Sequence, residues 1–352
     1  MRDIWYLVLP LIISALITPV VKQIGYRLDA FAQMNERTVH HGKIVRIGGV
    51  AIYLAFIITM ALYVKTDMAM NGILIGSTIM FIGGLVDDLV NLKPLYKFSF
   101  QVVAAIVLIA SGVTLDVIRL PLGITINMGV VSFIVTFFWI TGITNAVNLI
   151  DGLDGLCGGI SVIILTVIAM LAVIEGRGDV EMIALILVGA TLGFLIYNAH
   201  PASIFMGDCG ALFLGFIISA ISLLGFKSST IMTLALPLLL LALPIIDTLS
   251  AILRRTLKGH KFSEADKSHI HHLLMNKFGH KNTVIIMCIV TALFGLTAYV
   301  YMINKGIGLI SLFVIMLAVD LFIEGSGMIS DKYHPILSVS RRIIRRLTRK
   351  RP

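Results

Sequence analysis

The chain has 352 residues, of which 58% are hydrophobic and only 13% are charged, and its formal net charge is +9. Soluble domains carry about 25% charged residues, so this composition excludes an ordinary soluble protein. We therefore expect the bilayer to surround most of the chain, and we expect no nucleic-acid polymer among its partners. Cys157, Cys209 and Cys288 have no paired spacing, which favours small buried side chains over redox or metal sites.

Eleven apolar stretches have about the length that a helix needs to cross a membrane. Backbone polar groups in lipid must be satisfied within the segment, which favours helices, and the alternation typical of barrel strands is missing. We predict an all-α, polytopic integral membrane bundle of about eleven transmembrane helices, forming one domain over 1–323 with a basic tail over 324–352. The predicted spans lie near residues 4–22, 47–64, 71–86, 97–115, 129–148, 158–174, 181–198, 209–226, 230–253, 283–303 and 306–323.

Lysine and arginine placement predicts the orientation of the bundle, because these residues are enriched in cytoplasmic connections. If the first connection is cytoplasmic, that side holds 22 of the 28 basic residues and the other side holds 6. The amino terminus is then outside and the carboxyl terminus cytoplasmic. The basic tail 341-RRIIRRLTRKRP-352 suits either contact with anionic lipid or a simple topology anchor.

The first predicted cytoplasmic loop is basic and rich in histidine. It contains Arg37, His40 and Arg46, and Arg46 precedes the pair Gly48-Gly49 at a predicted helix start. Backbone N–H groups at a helix start favour anions, so Arg46 is a candidate anion contact. The basic residues are explained equally well if they only keep this loop on the cytoplasmic side of the membrane, but that explanation does not account for the histidines.

Two adjacent carboxylates, Asp87 and Asp88, end the third predicted span. Their mutual repulsion and desolvation would be relieved by a divalent cation, and hard cations prefer oxygen ligands. Solvated loop aspartates are the alternative. Lys97, which follows with Lys93 nearby, suits either a phosphate contact or a topology anchor.

An outer connection, 116–129, has the turn residues and alternation of a small hairpin.

Tandem Asp-Gly pairs occur in 148-NLIDGLDGL-156, where Asp151 and Asp154 follow Asn148. One such pair is common in ordinary turns, but two within an apolar segment favour contacts to a nucleotide, a sugar or a metal. Asp208 follows at the start of the eighth span. It suits a helix cap, and it also suits a magnesium ligand that converges with Asp87 and Asp88.

The run 269-HIHH-272 supplies His269, His271 and His272 after a basic segment. Zinc is one reading of a histidine cluster. The companion groups are carboxylates and basic residues, which favours hydrogen bonding to a diphosphate instead. Asp247 in the ninth predicted span is a further acidic candidate, and a structural pair with a neighbouring helix explains it nearly as well.

Taken in order, these motifs resemble those of the polyprenyl-phosphate N-acetylhexosamine-1-phosphate transferases, the membrane family that includes the phospho-MurNAc-pentapeptide transferase. The resemblance extends over nearly the whole chain. The form of the histidine motif resembles the branch that uses UDP-GlcNAc and starts wall teichoic acid linkage units. Two positions depart from the family pattern, since Asn91 replaces an acidic residue and Thr38 replaces a basic one. The motifs are Asp87-Asp88, the segment from Asn148 to Gly155, Met206-Gly207-Asp208 and His269-x-His271-His272.

The resemblance implies transfer of GlcNAc-1-phosphate from UDP-GlcNAc to undecaprenyl phosphate on the cytoplasmic face of a bacterial plasma membrane. It implies Mg²⁺ as cofactor, with Mn²⁺ left open, and Asp208 and Asp88 as metal ligands. Asp87 is expected to be the base, supported by Asp88. The substrate contacts implied are Asn148, Asp151, Asp154, His269, His271, His272, Lys97, Arg37, His40 and Arg46.

Two alternatives stay open at this point. The pentapeptide-transferring enzyme of peptidoglycan synthesis is the nearer one. A secondary transporter also has many spans with acidic groups, but carriers place these groups near the midplane and often show inverted repeats. The sequence leaves open the downstream polymer, a one-step or aspartyl-enzyme route, and whether the chain forms a homodimer.

Overall fold

A computed structural model describes residues 2–31, 43–65, 67–119, 125–225 and 270–325. These residues form a helical bundle with one small hairpin. The helices are α1 (Arg2–Arg27), α2 (Gly49–Tyr63), α3 (Met68–Val90), α4 (Pro94–Ala110), α5 (Val131–Leu149), α6 (Leu156–Ile174), α7 (Gly178–Asn198), α8 (Gly207–Gly225), α9 (Ile270–Phe278), α10 (His280–Ile303) and α11 (Lys305–Gly325).

The chain is a polytopic, essentially all-helical membrane protein. Seven described helices are long and apolar enough to cross a bilayer: α1, α3, α5, α6, α7, α8 and α10. Helices α2, α4 and α11 contain shorter apolar segments. Ten of the eleven predicted spans therefore coincide with helices, while 230–253 lies outside the described residues. The total of eleven spans and the orientation remain predictions.

Helix α8 is at the centre of the bundle. It packs mainly against α3 and α5, with α2, α6 and α7 also in contact. Of its apolar span 89% is buried within the protein, against 22% for α1. Because α8 is shielded on every side, polar groups at its amino-terminal end lie among protein groups and not in lipid.

Helix α1 lies at the edge of the bundle, packed on α7 and α2. The two helices approach closely at Gly193, where a Cβ atom would collide with the carbonyl oxygen of Leu11. The opposite face of α1 exposes large apolar side chains such as Leu16 and Val20, as expected for a helix that faces lipid.

The predicted hairpin in 116–129 is confirmed. Strands β1 (Val117–Arg119) and β2 (Thr125–Asn127) pair antiparallel, with Val117 opposite Asn127. Asp116 joins the hairpin to α5, since its Oδ1 accepts hydrogen bonds from the hydroxyls of Thr114 (2.8 Å) and Ser132 (3.0 Å). Burial of the cysteines is also confirmed for Cys157 and Cys209, whereas Cys288 is half-buried.

Candidate active site

Four helix ends meet at one end of the bundle and bring together predicted residues that lie far apart in sequence. The ammonium of Lys97 on α4 lies 3.0 Å from Oδ2 of Asp87 on α3 and also bonds to Oδ2 of Asp208 on α8. Asn148, near the end of α5, donates from Nδ2 to Oδ1 of Asp208 at 3.0 Å. The structure thus places Asp87, Lys97, Asn148 and Asp208 in one cluster.

The connection between α3 and α4 explains how Lys97 reaches these carboxylates. Helix α3 ends at Val90 and is capped by Asn91, which has left-handed backbone geometry (φ 51°) and donates its N–H to the carbonyl of Asp87 at 2.8 Å. Lys93 is extended and Pro94 opens α4, an arrangement that proline favours at a helix start. The reversal is short, so Asp87 in the last turn of α3 faces Lys97 in the first turn of α4.

Asp88 caps the helix that carries Asp208. Its Oδ1 accepts the N–H of Asp208 at 3.0 Å and its Oδ2 accepts the N–H of Cys209 at 2.9 Å. A carboxylate at a helix amino terminus satisfies free N–H groups and interacts favourably with the helix dipole. The helices come close enough because residue 84 is glycine: a Cβ there would lie 2.5 Å from the Asp208 carbonyl oxygen.

Arg46 makes three hydrogen bonds to the end of α3. Its Nε donates to the carbonyl of Asp88 at 2.8 Å, and Nη2 donates to the carbonyl of Asp87 at 3.1 Å and to Oδ1 of Asn91 at 2.6 Å. The N–H groups of Gly48 and Gly49 donate to the carbonyls of residues 205 and 206. The groups predicted to hold an anion at this helix start therefore have protein acceptors.

The Asp-Gly segment forms the turn between α5 and α6. Asp151 is half-buried there. Burial raises its pKa to about 8, the charges of Asp208, Asp88 and Asp154 add to the rise, and the Gly207 N–H offsets part of it. Such a concentration of carboxylates around one point is stabilised by a cation.

Asp154, in the same turn, is buried and contacts two histidines that the sequence analysis did not select. Its Oδ2 lies 3.0 Å from Nδ1 of His200 and accepts the Ala202 N–H at 3.1 Å. Nε2 of His280 lies 3.4 Å from the Asp154 carbonyl oxygen and 4.0 Å from Oδ2. The two imidazole rings stack, with centroids 4.1 Å apart.

Asn198 is a further functional candidate that the sequence analysis missed. Its Oδ1 accepts the N–H of Gly155 at 3.1 Å, and its Nδ2 donates to the Ile204 carbonyl at 2.9 Å. The polar loop 198–208 was a signal for Asn198 and His200, although it did not single out either residue. His280 follows the histidine motif by eight residues and stands outside any motif.

Some predicted residues cannot be placed. Arg37, His40, His269 and Asp247 lie outside the described residues. His271 and His272 belong to the first turn of α9, and their side chains are not described. Helix α9 ends at Phe278, and Gly279 alone separates it from α10, whose first residue is His280.

The donor set of the main cluster fits a hard divalent cation. It consists of the carboxylates of Asp87 and Asp208 with the amide of Asn148, and oxygen ligands of this kind suit Mg²⁺ or Mn²⁺. Among the described residues, a second group of Asp154, His200 and His280 offers three possible ligand atoms within 4.8 Å of one another.

Comparison with known proteins identifies the family. The model of glycosyl transferase family 4 matches residues 70–226, a region that contains Asp87, Lys97, Asn148 and Asp208. A probable undecaprenyl-phosphate N-acetylglucosaminyl 1-phosphate transferase of Bacillus subtilis is 37% identical over 345 residues, 96% of either chain.

More distant relatives extend the comparison. A decaprenyl-phosphate N-acetylglucosaminephosphotransferase of Mycobacterium tuberculosis is 32% identical over 315 residues, covering 79% of this chain and 76% of that protein. A phospho-N-acetylmuramoyl-pentapeptide-transferase of Streptococcus uberis is 30% identical over 250 residues, covering 64% and 74%. The chain belongs to glycosyl transferase family 4, and its match over nearly the full length is with the N-acetylglucosamine-1-phosphate transferase branch.

Proposed function

We propose that the protein transfers GlcNAc-1-phosphate from UDP-GlcNAc to undecaprenyl phosphate. The observation that carries this proposal is the cluster of Asp87, Lys97, Asn148 and Asp208 at one end of a membrane bundle, in a chain that matches a transferase over 96% of its length. Membership of this family displaces the secondary-transporter alternative.

An oxygen of the lipid phosphate attacks the phosphorus linked to the sugar. The bond from that phosphorus to the bridging oxygen breaks, UMP leaves with the bridging oxygen, and the lipid becomes undecaprenyl-diphospho-GlcNAc. Catalysis of phosphoryl transfer depends mainly on positioning and on neutralising negative charge. Both requirements suit a site built from fixed carboxylates, an amide and an ammonium.

The location of the cluster suits a reaction between a soluble and a lipid substrate. The cluster lies at helix ends, where the bundle meets the aqueous phase. Nearby faces of α4 and α5 expose large apolar side chains, including Val103 and Ile106 on α4 and Ile134 and Phe138 on α5. The polyprenyl chain can lie along such a face while its phosphate reaches the helix ends. We assign the cytoplasmic face of the plasma membrane to this end.

Asp208 and Asp87 are the residues that would hold Mg²⁺, which when bound neutralises the diphosphate and withdraws electron density from phosphorus. Asp88 was expected to be a metal ligand, but both of its oxygens accept backbone N–H groups. We therefore assign Asp88 as a positioning residue that orients Asp208. Asn148 fixes the Asp208 carboxylate from the opposite side.

Lys97 and Asp87 act on the phosphates. The Lys97 ammonium is paired with both Asp87 and Asp208, and its single positive charge offsets one of their two negative charges. When the donor binds, the ammonium is within reach of the diphosphate, and the oxygen of Asp87 that does not hold the metal can accept a proton from the lipid phosphate. Asp151 and Asp154 are assigned to the nucleotide or sugar, and Arg37, His40 and the histidines of residues 269–272 to the phosphates.

Arg46 is assigned a different role from the one its position in sequence predicted. All of its described hydrogen bonds go to the end of α3, so we assign it to orienting Asp87 and Asp88.

The test uses purified protein in lipid with radiolabelled UDP-GlcNAc, undecaprenyl phosphate and Mg²⁺. We expect a labelled lipid and an equal amount of UMP, and no product when EDTA replaces the metal. Product with a UDP-MurNAc-pentapeptide donor and none with UDP-GlcNAc would assign the protein to the other branch. Asp208→Asn should abolish product formation while the protein stays in the membrane.

A further inference from the structure

The buried carboxylate of Asp154 is held by groups from two distant parts of the chain. Only 3% of its side chain is exposed, whereas 34% of the His200 side chain and 9% of the His280 side chain are exposed. His200 follows the end of α7, and His280 begins α10. The turn over 150–155 is therefore in contact with imidazole groups from two distant parts of the chain.

A shared metal ion is one explanation of this group, because the three ligand atoms lie within 4.8 Å. The orientation of the rings argues against it. An ion bound to imidazole lies in the plane of the ring, about 2.0–2.1 Å from the nitrogen. The two rings are stacked with planes only 20° apart, so no point near both nitrogens lies in both planes. Hydrogen bonding and ring stacking account for the observed geometry.

These contacts also fix the main chain of the turn. Oδ2 of Asp154 accepts the N–H of Ala202 in addition to contacting His200. Asn198 holds the next residue, Gly155, by its N–H. His280 contacts the Asp154 carbonyl oxygen at 3.4 Å and stacks on His200. The turn is thus tied to the end of α7 and to the start of α10.

We propose that His200 and His280 are positioning residues for the transfer reaction: they hold the turn over 150–155 in the conformation that binds the nucleotide sugar. This inference rests on the proposed function, which assigns Asp151 and Asp154 to that substrate. Because α9 leads directly into His280, the same contact ties the helix that begins in the histidine motif to this turn. The two histidines act through the turn and do not contact the reacting atoms.

Conservative variants separate the hydrogen bond from the presence of a ring. His200 contacts Asp154 through Nδ1, whose place the Nδ2 of asparagine can take, and His280 uses Nε2, whose place the Nε2 of glutamine can take. We expect His200→Ala to raise the KM for UDP-GlcNAc about tenfold and to change kcat less than about threefold, since a hydrogen bond to a charged group is lost. His200→Asn should stay within about threefold of the native KM.

His280→Ala and His280→Gln should show the same pattern with a smaller effect, because the contact of His280 is longer. Lys281→Ala is the matched control, since Lys281 is exposed and follows His280 directly. A collapse of kcat in His200→Ala at unchanged KM would overturn the positioning role. So would an asparagine variant as impaired as the alanine variant.

Two further measurements do not depend on turnover. Hydrogen exchange of the amides in 150–156 should be faster in His200→Ala than in the native protein and should return toward the native rate in His200→Asn. Equal exchange in all three proteins would overturn the proposal. Elemental analysis that finds one zinc per chain, lost in His200→Ala, would replace it with a metal site. If the native protein does not use UDP-GlcNAc while the exchange pattern holds, the proposed function fails and the positioning role stands.

Discussion

Asp88 and Asp208 are joined across two helices, because Oδ1 of Asp88 accepts the backbone N–H of Asp208 at 3.0 Å. The other oxygen of Asp88 accepts the next N–H along α8. Two acidic residues that are 120 positions apart therefore have different tasks: Asp88 sets the direction of α8, and Asp208 presents its carboxylate to Lys97 and Asn148.

Asp88→Asn should lower both the activity and the thermal stability of the protein. Asparagine offers one oxygen in place of two, so at least one N–H of α8 loses its acceptor, and a capping bond contributes about 1 kcal/mol. The midpoint of thermal unfolding in detergent measures this loss. Asp87→Asn is the comparison, because it should abolish turnover with little change in the midpoint. Equal midpoints for the two variants would contradict the capping role of Asp88.

Lys97→Met should strengthen metal binding while it removes turnover. The ammonium competes with a divalent cation for the carboxylates of Asp87 and Asp208, so its removal leaves two negative charges without a partner. Titration with Mn²⁺, followed by electron paramagnetic resonance, should give a lower Kd for the variant, and kcat should fall by more than about 100-fold. Lys93→Met, on the exposed residue that precedes α4, is the control and should match the native protein. Weaker Mn²⁺ binding in Lys97→Met would show that the ammonium does not oppose the metal.

Arg46→Lys should lower the stability and kcat but leave the KM for both substrates unchanged. Lysine cannot reproduce the three directed hydrogen bonds that the guanidinium makes to Asp87, Asp88 and Asn91. Steady-state kinetics and the unfolding midpoint measure the two effects. A large rise in KM for UDP-GlcNAc at an unchanged midpoint would restore the anion-binding role that the sequence predicted.

Asn91 offers an independent test of the same contact. Asn91→Asp keeps an oxygen for Arg46 and adds a charge, so we expect native activity and an equal or higher unfolding midpoint. Asn91→Ala loses the oxygen and also strains a backbone with φ 51°, so its midpoint should fall. Asn91→Gly relieves the strain but also lacks the side-chain oxygen. Its unfolding midpoint should therefore lie between those of the native protein and Asn91→Ala. A midpoint for Asn91→Gly equal to that of the native protein would show that the Arg46 contact adds no stability.

The stability of the metal-free protein should decrease as the pH rises from about 4 to 8, the range between the unfolded and the folded pKa of Asp151. The pKa of Asp151 is about 8 in the folded protein, against an ordinary value of 3.8, so the folded state holds this proton more tightly than the unfolded state does. The stabilisation is complete below the unfolded pKa and is lost as the pH passes the folded pKa. Unfolding midpoints measured in EDTA should show this slope, and Asp151→Asn should flatten it. An equal slope in the variant would assign the effect to other groups.

Cysteine labelling tests the orientation of the bundle. In a background with Cys157, Cys209 and Cys288 replaced by alanine, a cysteine at position 93 should react with a membrane-impermeant maleimide only from the cytoplasmic side. A cysteine at position 305, at the start of α11, should react only from outside. Both positions are exposed. The reverse pattern would place the active site outside the cell.

The sequence was sufficient to predict the parts of the site that are set by local rules. Asp87 and Asp88 were expected at the end of a span and Asp208 at the start of another, and the structure places them in the last turn of α3 and the first turn of α8. These positions follow from the boundaries between apolar and polar segments, which are visible in a single sequence.

The different roles of Asp88, Asp208 and Arg46 were not predictable in the same way. The capping of α8 by Asp88 depends on the close approach of α3 and α8 at Gly84, which are more than 100 residues apart in the chain. The contact of Arg46 with the end of α3 likewise joins residues 42 positions apart. No motif singles out His200 or His280, since their partner Asp154 lies on a third segment. Such contacts are properties of the packed bundle and not of any one motif.

Because α1 packs against α7, the first helix to be made must remain in the membrane without this packing partner until α7 has been synthesised. About 150 residues separate the two helices, which at about 5–20 residues per second takes the ribosome roughly 8–30 s. During that time the stripe around Ser14, which later covers Gly193, has no native neighbour on α7. The hydroxyl of Thr18 donates to the Ser14 carbonyl within α1 at 2.7 Å. Exposure of this hydroxyl to lipid before α7 is made therefore adds little free energy. Helix α1 can pack on α2 as soon as both helices have been made, whereas its contact with α7 can form only after α7 has been synthesised.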